Sequence, residues 1–444
     1  MPRGLEDRRE RVVLVGLARS QADMPAAESS LEELALLADT AGAEALDRIV
    51  QVRDAPDPAT YIGRGKAQEV VDIARALHAD AIVFDDELAP AQGRNLEDVA
   101  GVNPLAETAL KIIDRTGLIL DVFSQHAHSA EGKLQVELAQ INYMLPRLRG
   151  WGEVMSRLGA GIGTRGPGET KLEVDRRRIN RRLAKLRRDL ADLERTRGIK
   201  RSGRMRAGVP QISLVSYTNA GKSTLLNALT GASVLVEDRL FSTLDPTARR
   251  LELPDDRSAV LIDTVGFVRK LPHQLVEAFR STLEETKLSD LLLHVVDASD
   301  MDVPGQIAAV ERVVREIGAD DVPRLIALNK ADLLTPPIRS TLAELFPQAV
   351  FISAATGEGL AELLALVAGR VDAARTVATL RIPHSRGELR NELHTETQVL
   401  KESFDPEGAV MVVRAPAAML HRFAEFLADD DAASGDGAEA PDLG

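Results

Sequence analysis

The 444-residue sequence predicts a multidomain α/β protein: a small N-terminal α/β domain, an antiparallel helical hairpin, a doubly wound phosphate-loop domain and a small C-terminal α/β domain. Three observations predict it. In the centre, apolar runs at 212–215, 259–263, 324–328 and 350–352 each end in a small, polar or glycine-bearing loop, as parallel strands do at their carboxyl ends. Ahead of them, apolar residues recur by fours and threes along two longer segments, which is a helical seam. Shorter stretches that mix buried-strand runs with helical periodicity stand at both ends of the chain.

At 44% hydrophobic and 28% charged, the composition is that of an ordinary globular protein, long enough for about three or four domains with cores of their own. No apolar run approaches the roughly 20 residues that span a bilayer, and no signal-peptide core follows Met1. A cytoplasmic protein without a membrane span is therefore expected. With no cysteine, disulfides, thiolate zinc sites and cysteine nucleophiles are excluded, and eight scattered His residues argue against a structural metal cluster. The net charge of -13 argues against a generic nucleic-acid binder, but it averages over a very uneven distribution.

The N-terminal domain, residues 1–128, draws strands from Val12-Val-Leu-Val15 and Ala81-Ile-Val-Phe84, with helices expected over 30–38 and 67–77. Within it, Tyr61-Ile-Gly-Arg-Gly-Lys66 is a glycine-flanked basic turn opening a helix. Such a turn can hold nucleotide or RNA phosphate, and is otherwise a plain helix start. The hairpin, 129–206, has one seam at Leu134, Leu138, Ile141, Leu145 and Leu148 and another at Ile179, Leu183, Leu186, Leu190 and Leu193, with Pro146 expected to kink or end the first helix. A glycine-rich connection, 150–170, carries Arg157 and Arg165, and residues 176–206 hold fourteen Lys and Arg against three acids. That charge suits a phosphate backbone; its plainer reading is a solvated coiled-coil face. Trp151 and Tyr143 apart, stacking aromatics are scarce there, so charge and shape should outweigh base readout. Leu380-Arg-Ile-Pro383 and Gly408-Ala-Val-Met-Val-Val-Arg414 outline the C-terminal domain, 375–428, and the acidic segment 429–444 reads as disordered.

The chemistry lies in the centre. Ser216-Tyr-Thr-Asn-Ala-Gly-Lys-Ser-Thr224 joins an apolar strand to a helix as a G-x-x-x-x-G-K-[ST] loop does, with Ser216 where the pattern has its first glycine. Backbone amides of Asn219, Ala220 and Gly221 can converge on a triphosphate, Lys222 would reach its β and γ phosphates, and the Ser223 hydroxyl beside Thr224 would bind magnesium. Gly-Lys-Ser alone recurs by chance, so the order of the remaining motifs decides the matter. Asp263-Thr-Val-Gly266 supplies a carboxylate for the metal's water and a glycine that senses the γ phosphate. Asn329-Lys330-Ala331-Asp332 places a carboxylate that accepts from N1 and the exocyclic amine of guanine, donors that adenine lacks in this arrangement. Ser353-Ala354-Ala355 would offer backbone to the guanine O6 edge. Four motifs in this order predict a guanine-nucleotide site in a P-loop GTPase domain, 207–374. At Ser216 the chain turns sharply, so a small residue is required; serine adds one hydroxyl to alanine, and that hydroxyl is expected to bond within the loop.

Further motifs carry a family resemblance: Ser30-Leu-Glu-Glu-Leu34, Phe84-Asp-Asp-Glu-Leu88, Glu131-Gly-Lys-Leu-Gln-Val-Glu-Leu-Ala-Gln140, Gly161-Ile-Gly-Thr-Arg-Gly-Pro-Gly-Glu-Thr-Lys-Leu-Glu173, Thr243-Leu-Asp-Pro-Thr247 and Asp263-Thr-Val-Gly-Phe267 with Leu271-Pro-His-Gln-Leu275. From about residue 12 to 426 the chain resembles the HflX family of ribosome-associated GTPases, near Obg among translation-factor-like GTPases. The resemblance implies that Thr243 is the switch threonine, completing a magnesium set of Ser223, Thr243 and Asp263 and a catalytic set of Lys222, Thr243 and Gly266. It implies that Asn219 suits a potassium ion. Phe267 stands where many GTPases place a water-orienting glutamine, so hydrolysis is expected to be slow alone and ribosome-stimulated. The implied partners are the large ribosomal subunit and its RNA, met by the hairpin of a monomeric protein that splits stalled or idle ribosomes. The alternative is a GTP-dependent RNA- or ribosome-binding module or assembly factor in which hydrolysis is incidental.

Overall fold

The structure, a computed structural model, describes residues 9–101, 110–148, 171–206, 209–231, 241, 247–254, 257–270, 275 and 285–428. The chain divides into two compact units: residues 1–192 with 235–245 and 265–281, and residues 193–234 with 246–264 and 282–444.

In the first unit, β1 (Glu10–Ala18), β2 (Ala43–Val52), β3 (Ala81–Phe84) and β4 (Lys111–Asp114) form a wholly parallel sheet ordered β2-β1-β3-β4. Val12 to Val15 and all of β3 are buried, as strands covered on both faces must be. The covering helices are α1 (Met24–Thr40), α2 (Arg64–Ala76), α3 (Pro90–Val99) and α4 (Arg115–His126). On α1, Leu31, Leu34, Leu37 and Ala38 make one buried stripe at helical spacing, and Gly42 at φ 85° turns the chain into β2. The turn at 61–66 is a helix start: the Gly63 N–H donates to Gln51 Oε1 at 2.9 Å, and Lys66 pairs with Glu69 at 2.7 Å. At the carboxyl ends, fully buried Arg115 pairs with Glu33 and with Asp85 (2.7 Å), so the charge is matched where it is buried.

Two helices follow, α5 (Ala130–Leu148) and α6 (Lys171–Arg206). α5 runs two residues past Pro146, and among its described side chains the buried apolar positions are Val136 and Ala139; the expected Leu134 and Leu138 are only half-buried, and the side chain of the expected Leu148 lies outside the described residues. On α6 the expected Leu183, Leu186 and Leu190 are buried. Arg182 forks onto Glu137, with Nε 2.6 Å from Oε1 and Nη2 2.5 Å from Oε2. Asp114, at the end of β4, accepts from the Gly117 N–H (2.8 Å) that it caps, from the Tyr143 hydroxyl (2.7 Å) and from Arg147 (2.8 Å), which ties the last turns of α5 to the sheet. The connection with Arg157, Arg165 and Trp151 lies outside the described residues.

The second unit holds a six-stranded sheet ordered β10-β9-β8-β5-β7-β6. β5 (Gln211–Ser216), β7 (Arg257–Asp263), β8 (Leu291–Asp297), β9 (Arg324–Asn329) and β10 (Val350–Phe351) are parallel; β6 (Thr247–Leu253) is an antiparallel edge. Helices α7 (Lys222–Thr230), α8 (Val303–Glu316), α9 (Pro336–Leu345) and α10 (Leu360–Ala374) accompany it. β5 lies between β7 and β8, so the strand order reverses beside it, at the place where doubly wound sheets bind ligands. Beyond it, β11 (Arg375–Pro383), β12 (Gln398–Phe404) and β13 (Gly408–Pro416) form an antiparallel sheet ordered β11-β13-β12, packed with α11 (Gly387–Glu396) around Leu380, Ile382, Leu393, Met411, Val413 and Phe423. A short helix, α12 (Ala417–Leu420), follows, and residues 429–444 lie outside the described residues. Among the described residues, no helix is long and apolar enough to cross a membrane, and no His, Asp and Glu cluster forms a ready metal cage.

Candidate nucleotide site

Six buried residues carry β5 to Ser216, and the chain turns before α7 begins at Lys222. The turn uses two left-handed residues, Asn219 at φ 61° and Gly221 at φ 83°. Asparagine tolerates that region. At Gly221 glycine is required twice over, since a Cβ there would also run into the side-chain amide of Asn329. The N-terminal end of α7, with its outward-facing N–H groups and positive dipole end, is thereby aimed into the loop, as an anion site requires.

Lys222 and Ser223 are buried in the first turn of α7. The Lys222 ammonium contacts Asp263 Oδ1 at the end of β7, and Asp263 is completely buried. Its second oxygen, Oδ2, has no hydrogen-bond partner among the described residues, nor have Ser216 Oγ and Thr218 Oγ1. Ser216 is 1% exposed, so the bond expected for its hydroxyl within the loop does not form. Such orphaned buried polar atoms are uncommon, and three around one loop mark a place built for polar contact. Oxygen donors from Ser223 and Asp263 suit a hard divalent cation such as magnesium, which keeps several of its own waters. Thr243 lies outside the described residues. Gly266 is buried three residues beyond Asp263, in the segment 265–281 that belongs to the first unit.

Across from this loop, the ends of the strands are organised by Asn329, which closes β9. Only 2% exposed, it donates from Nδ2 to the Ala220 carbonyl (2.8 Å) and accepts at Oδ1 from the Ala354 N–H (2.9 Å). One side chain therefore joins the phosphate loop to the Ser353-Ala354-Ala355 loop. Ser353 is fully buried, its hydroxyl accepts from the Thr356 N–H (3.1 Å), and Gly359 at φ 72° brings the chain back where a Cβ would strike the Phe351 carbonyl. Ala354 is buried and Ala355 exposed. Lys330, at φ 63°, pairs with Asp297 at 2.7 Å, while Asp332 is exposed and pairs with no group among the described residues. The second unit thus gathers Ser216, Asn219, Ala220, Gly221, Lys222, Ser223, Thr224, Asp263, Asn329, Lys330, Asp332, Ser353, Ala354 and Ala355 around the carboxyl ends of its strands. Motif reading missed Asp297; the available signal was an acid closing an apolar run, as at Asp263.

Residues 28–124 match the family described as GTP-binding GTPase N-terminal, residues 126–204 the GTP-binding GTPase Middle Region, and residues 211–330 the 50S ribosome-binding GTPase family. A GTPase HflX of Caldanaerobacter subterraneus subsp. tengcongensis is 45% identical over 423 residues, covering 94% of each chain. The GTPase HflX of Escherichia coli (strain K12) is 44% identical over 415 residues, covering 92% of this chain and 94% of its own. Among solved structures, a GTP-binding protein of Sulfolobus solfataricus in complex with GDP gives a loose match, with a TM-score of 0.42 and 24% identity over 82% of this chain and 99% of its own.

Proposed function

Because the chain belongs to the HflX family of GTPases and is a GTPase, we propose that it binds the large ribosomal subunit through the basic hairpin and couples GTP hydrolysis to the splitting of stalled or idle ribosomes. The observation that carries the nucleotide half is the buried Lys222–Asp263 pair beside three unpartnered oxygens. When GTP enters the loop, the β and γ phosphates outbid a single carboxylate for the Lys222 ammonium, and backbone N–H groups of residues 219–223 receive the phosphate oxygens. Asp263, Ser223 and Thr243 are the residues that would hold magnesium. Bound magnesium supplies charge that offsets the phosphates. The Gly266 N–H senses the γ phosphate. Asp332 reads guanine, Asn329 holds the loops that flank it, and Asn219 is the residue for a potassium ion.

Phe267 is 1% exposed and has nothing with which to orient water, so hydrolysis should be slow until a partner completes the site. The same observation favours the second reading, a GTP-dependent ribosome-binding module whose turnover is incidental. On the RNA side, Arg178, Arg181, Arg187 and Arg188 lie exposed along α6, whereas Arg182 is committed to Glu137. The proposed division is an N-terminal domain 1–128, a hairpin 129–206, a GTPase domain 207–374, a C-terminal domain 375–428 and an acidic tail, in a monomer.

The test is GTP turnover with and without large subunits, beside co-sedimentation across a salt series. Stimulation by tens of fold supports the enzyme reading and no change supports the module. Reversing several charges among Arg165 and Arg176 to Arg188 should weaken sedimentation and flatten its salt dependence, because fewer counterions are released. Basal turnover should stay near normal. Undiminished sedimentation by that variant would remove the hairpin from the proposal.

A further inference from the structure

Asp297 closes β8 as Asp263 closes β7, yet it belongs to none of the nucleotide motifs. Its side chain is 15% exposed and both oxygens are engaged. Oδ1 accepts from the backbone N–H (2.9 Å) and the hydroxyl (2.6 Å) of Ser299, and Oδ2 accepts from the Lys330 ammonium at 2.7 Å. The Lys330 backbone is equally constrained. It sits in the left-handed region, which lysine seldom adopts, between an Asn329 carbonyl that accepts from the Ala298 N–H (2.9 Å) and an Ala331 N–H that donates to the Ile352 carbonyl (3.0 Å). The strand ends thus fix where Lys330 starts, and Asp297 fixes where its charge goes.

Two residues further on stands Asp332, exposed and unpaired among the described residues. A carboxylate that is to accept two N–H donors from a base has to be free of competing cations. A lysine ammonium on a flexible four-carbon stem, two residues away along the chain at the start of a tight turn, is such a competitor. We propose that Asp297 is a positioning residue of the guanine site: it anchors the Lys330 ammonium away from Asp332, so that Asp332 meets the base unpaired. The proposal rests on the reading of 329–332 as the guanine-recognising segment and adds a specificity-supporting residue to it.

Asp297→Asn keeps the side chain's shape and its acceptor for Ser299 while removing the charge that holds Lys330. In the full-length protein, titrated with fluorescent GDP, this variant should bind about tenfold more weakly. The loss should shrink at high salt, where a misdirected Lys330–Asp332 pair is screened. KM for GTP should rise much more than kcat changes. In a Lys330→Met background, which keeps the stem and lacks the ammonium, the same substitution at 297 should change affinity by less than about twofold, a non-additivity that a merely structural role would not give. Ser299→Ala removes one of the two donors that orient Asp297; it should give a smaller loss in the same direction and serves if Asp297→Asn does not fold. Wild-type affinity in these variants, or a loss that persists undiminished without the Lys330 ammonium, overturns the proposal. A wild-type protein that binds xanthosine diphosphate as tightly as GDP would instead overturn the guanine-site reading, so the two failures are separable.

Discussion

Replacing Asn329 with alanine should loosen the phosphate loop and the 353–355 loop together. The side chain is 2% exposed and serves two backbone groups, the Ala220 carbonyl at 2.8 Å and the Ala354 N–H at 2.9 Å. Each buried group left without its partner costs about 1–3 kcal/mol, which gives a destabilisation of about 2–6 kcal/mol. The low end is the better expectation, because both loops lie at the ends of strands where water can enter. A loop residue that is no longer preset costs about 1–2 kcal/mol to order when ligand arrives. One such residue in each loop raises the dissociation constant at least roughly 30-fold, at about 1.4 kcal/mol per decade. Thermal melting with and without nucleotide, and titration with fluorescent GDP, measure the two effects separately. The geometry also predicts a coupling: a Cβ at Gly221 would collide with this same amide, so Gly221→Ala combined with Asn329→Ala should be less damaging than the sum, with only the strain of φ 83° left. A folded Asn329→Ala protein that binds GDP within about threefold of wild type would refute the idea that Asn329 presets both loops.

Two further outcomes concern the site and a third the buried strand β8. Asp332→Asn should weaken GTP and favour xanthosine triphosphate, since an amide can donate to the oxygen that replaces the guanine amine; competitive titration of both nucleotides reads the switch, and an unchanged preference removes Asp332 from base recognition. Ser216→Gly should alter nucleotide affinity by less than about tenfold. It removes a buried hydroxyl that has no partner, a relief that opposes the about 0.5–1 kcal/mol entropic cost of glycine, so the melting temperature should hardly move. His294, on β8, is wholly enclosed, and burial, aided by Arg324, lowers its pKa to about 3. Its neutral form is therefore favoured in the folded state: stability is full above the unfolded value near 6.5 and falls as pH drops from there toward 3, by up to about 1.4 kcal/mol per unit. Denaturant melts of wild type and His294→Leu between pH 7 and 4 test this, and equal slopes would show that another group dominates.

The features that the sequence determined by itself are those whose physics is local. Glycine at 221, the lysine and hydroxyls that open α7, the acid closing an apolar run at 263 and the Asn-Lys-x-Asp segment each answer a demand of backbone conformation or ligand chemistry within a few residues. The heptad spacing of α6 was legible for the same reason, because Leu183, Leu186 and Leu190 meet on one face whatever packs against them. Other strands left no such mark. β8 is a short buried run, Leu291 to Val296, apolar except for His294, whose periodicity does not separate strand from helix, and β6 is a polar edge with buried residues only at Leu251 and Leu253. The mixed pattern of β2 was silent too. What the tertiary structure alone decided is pairing across the chain: Asn329 with Ala220 and Ala354, Lys222 with Asp263, and Lys330 with Asp297. These partners lie 25 to 109 residues apart. Periodicity and propensity act over a few residues, whereas such contacts exist only once the strand order β10-β9-β8-β5-β7-β6 has set these carboxyl ends side by side.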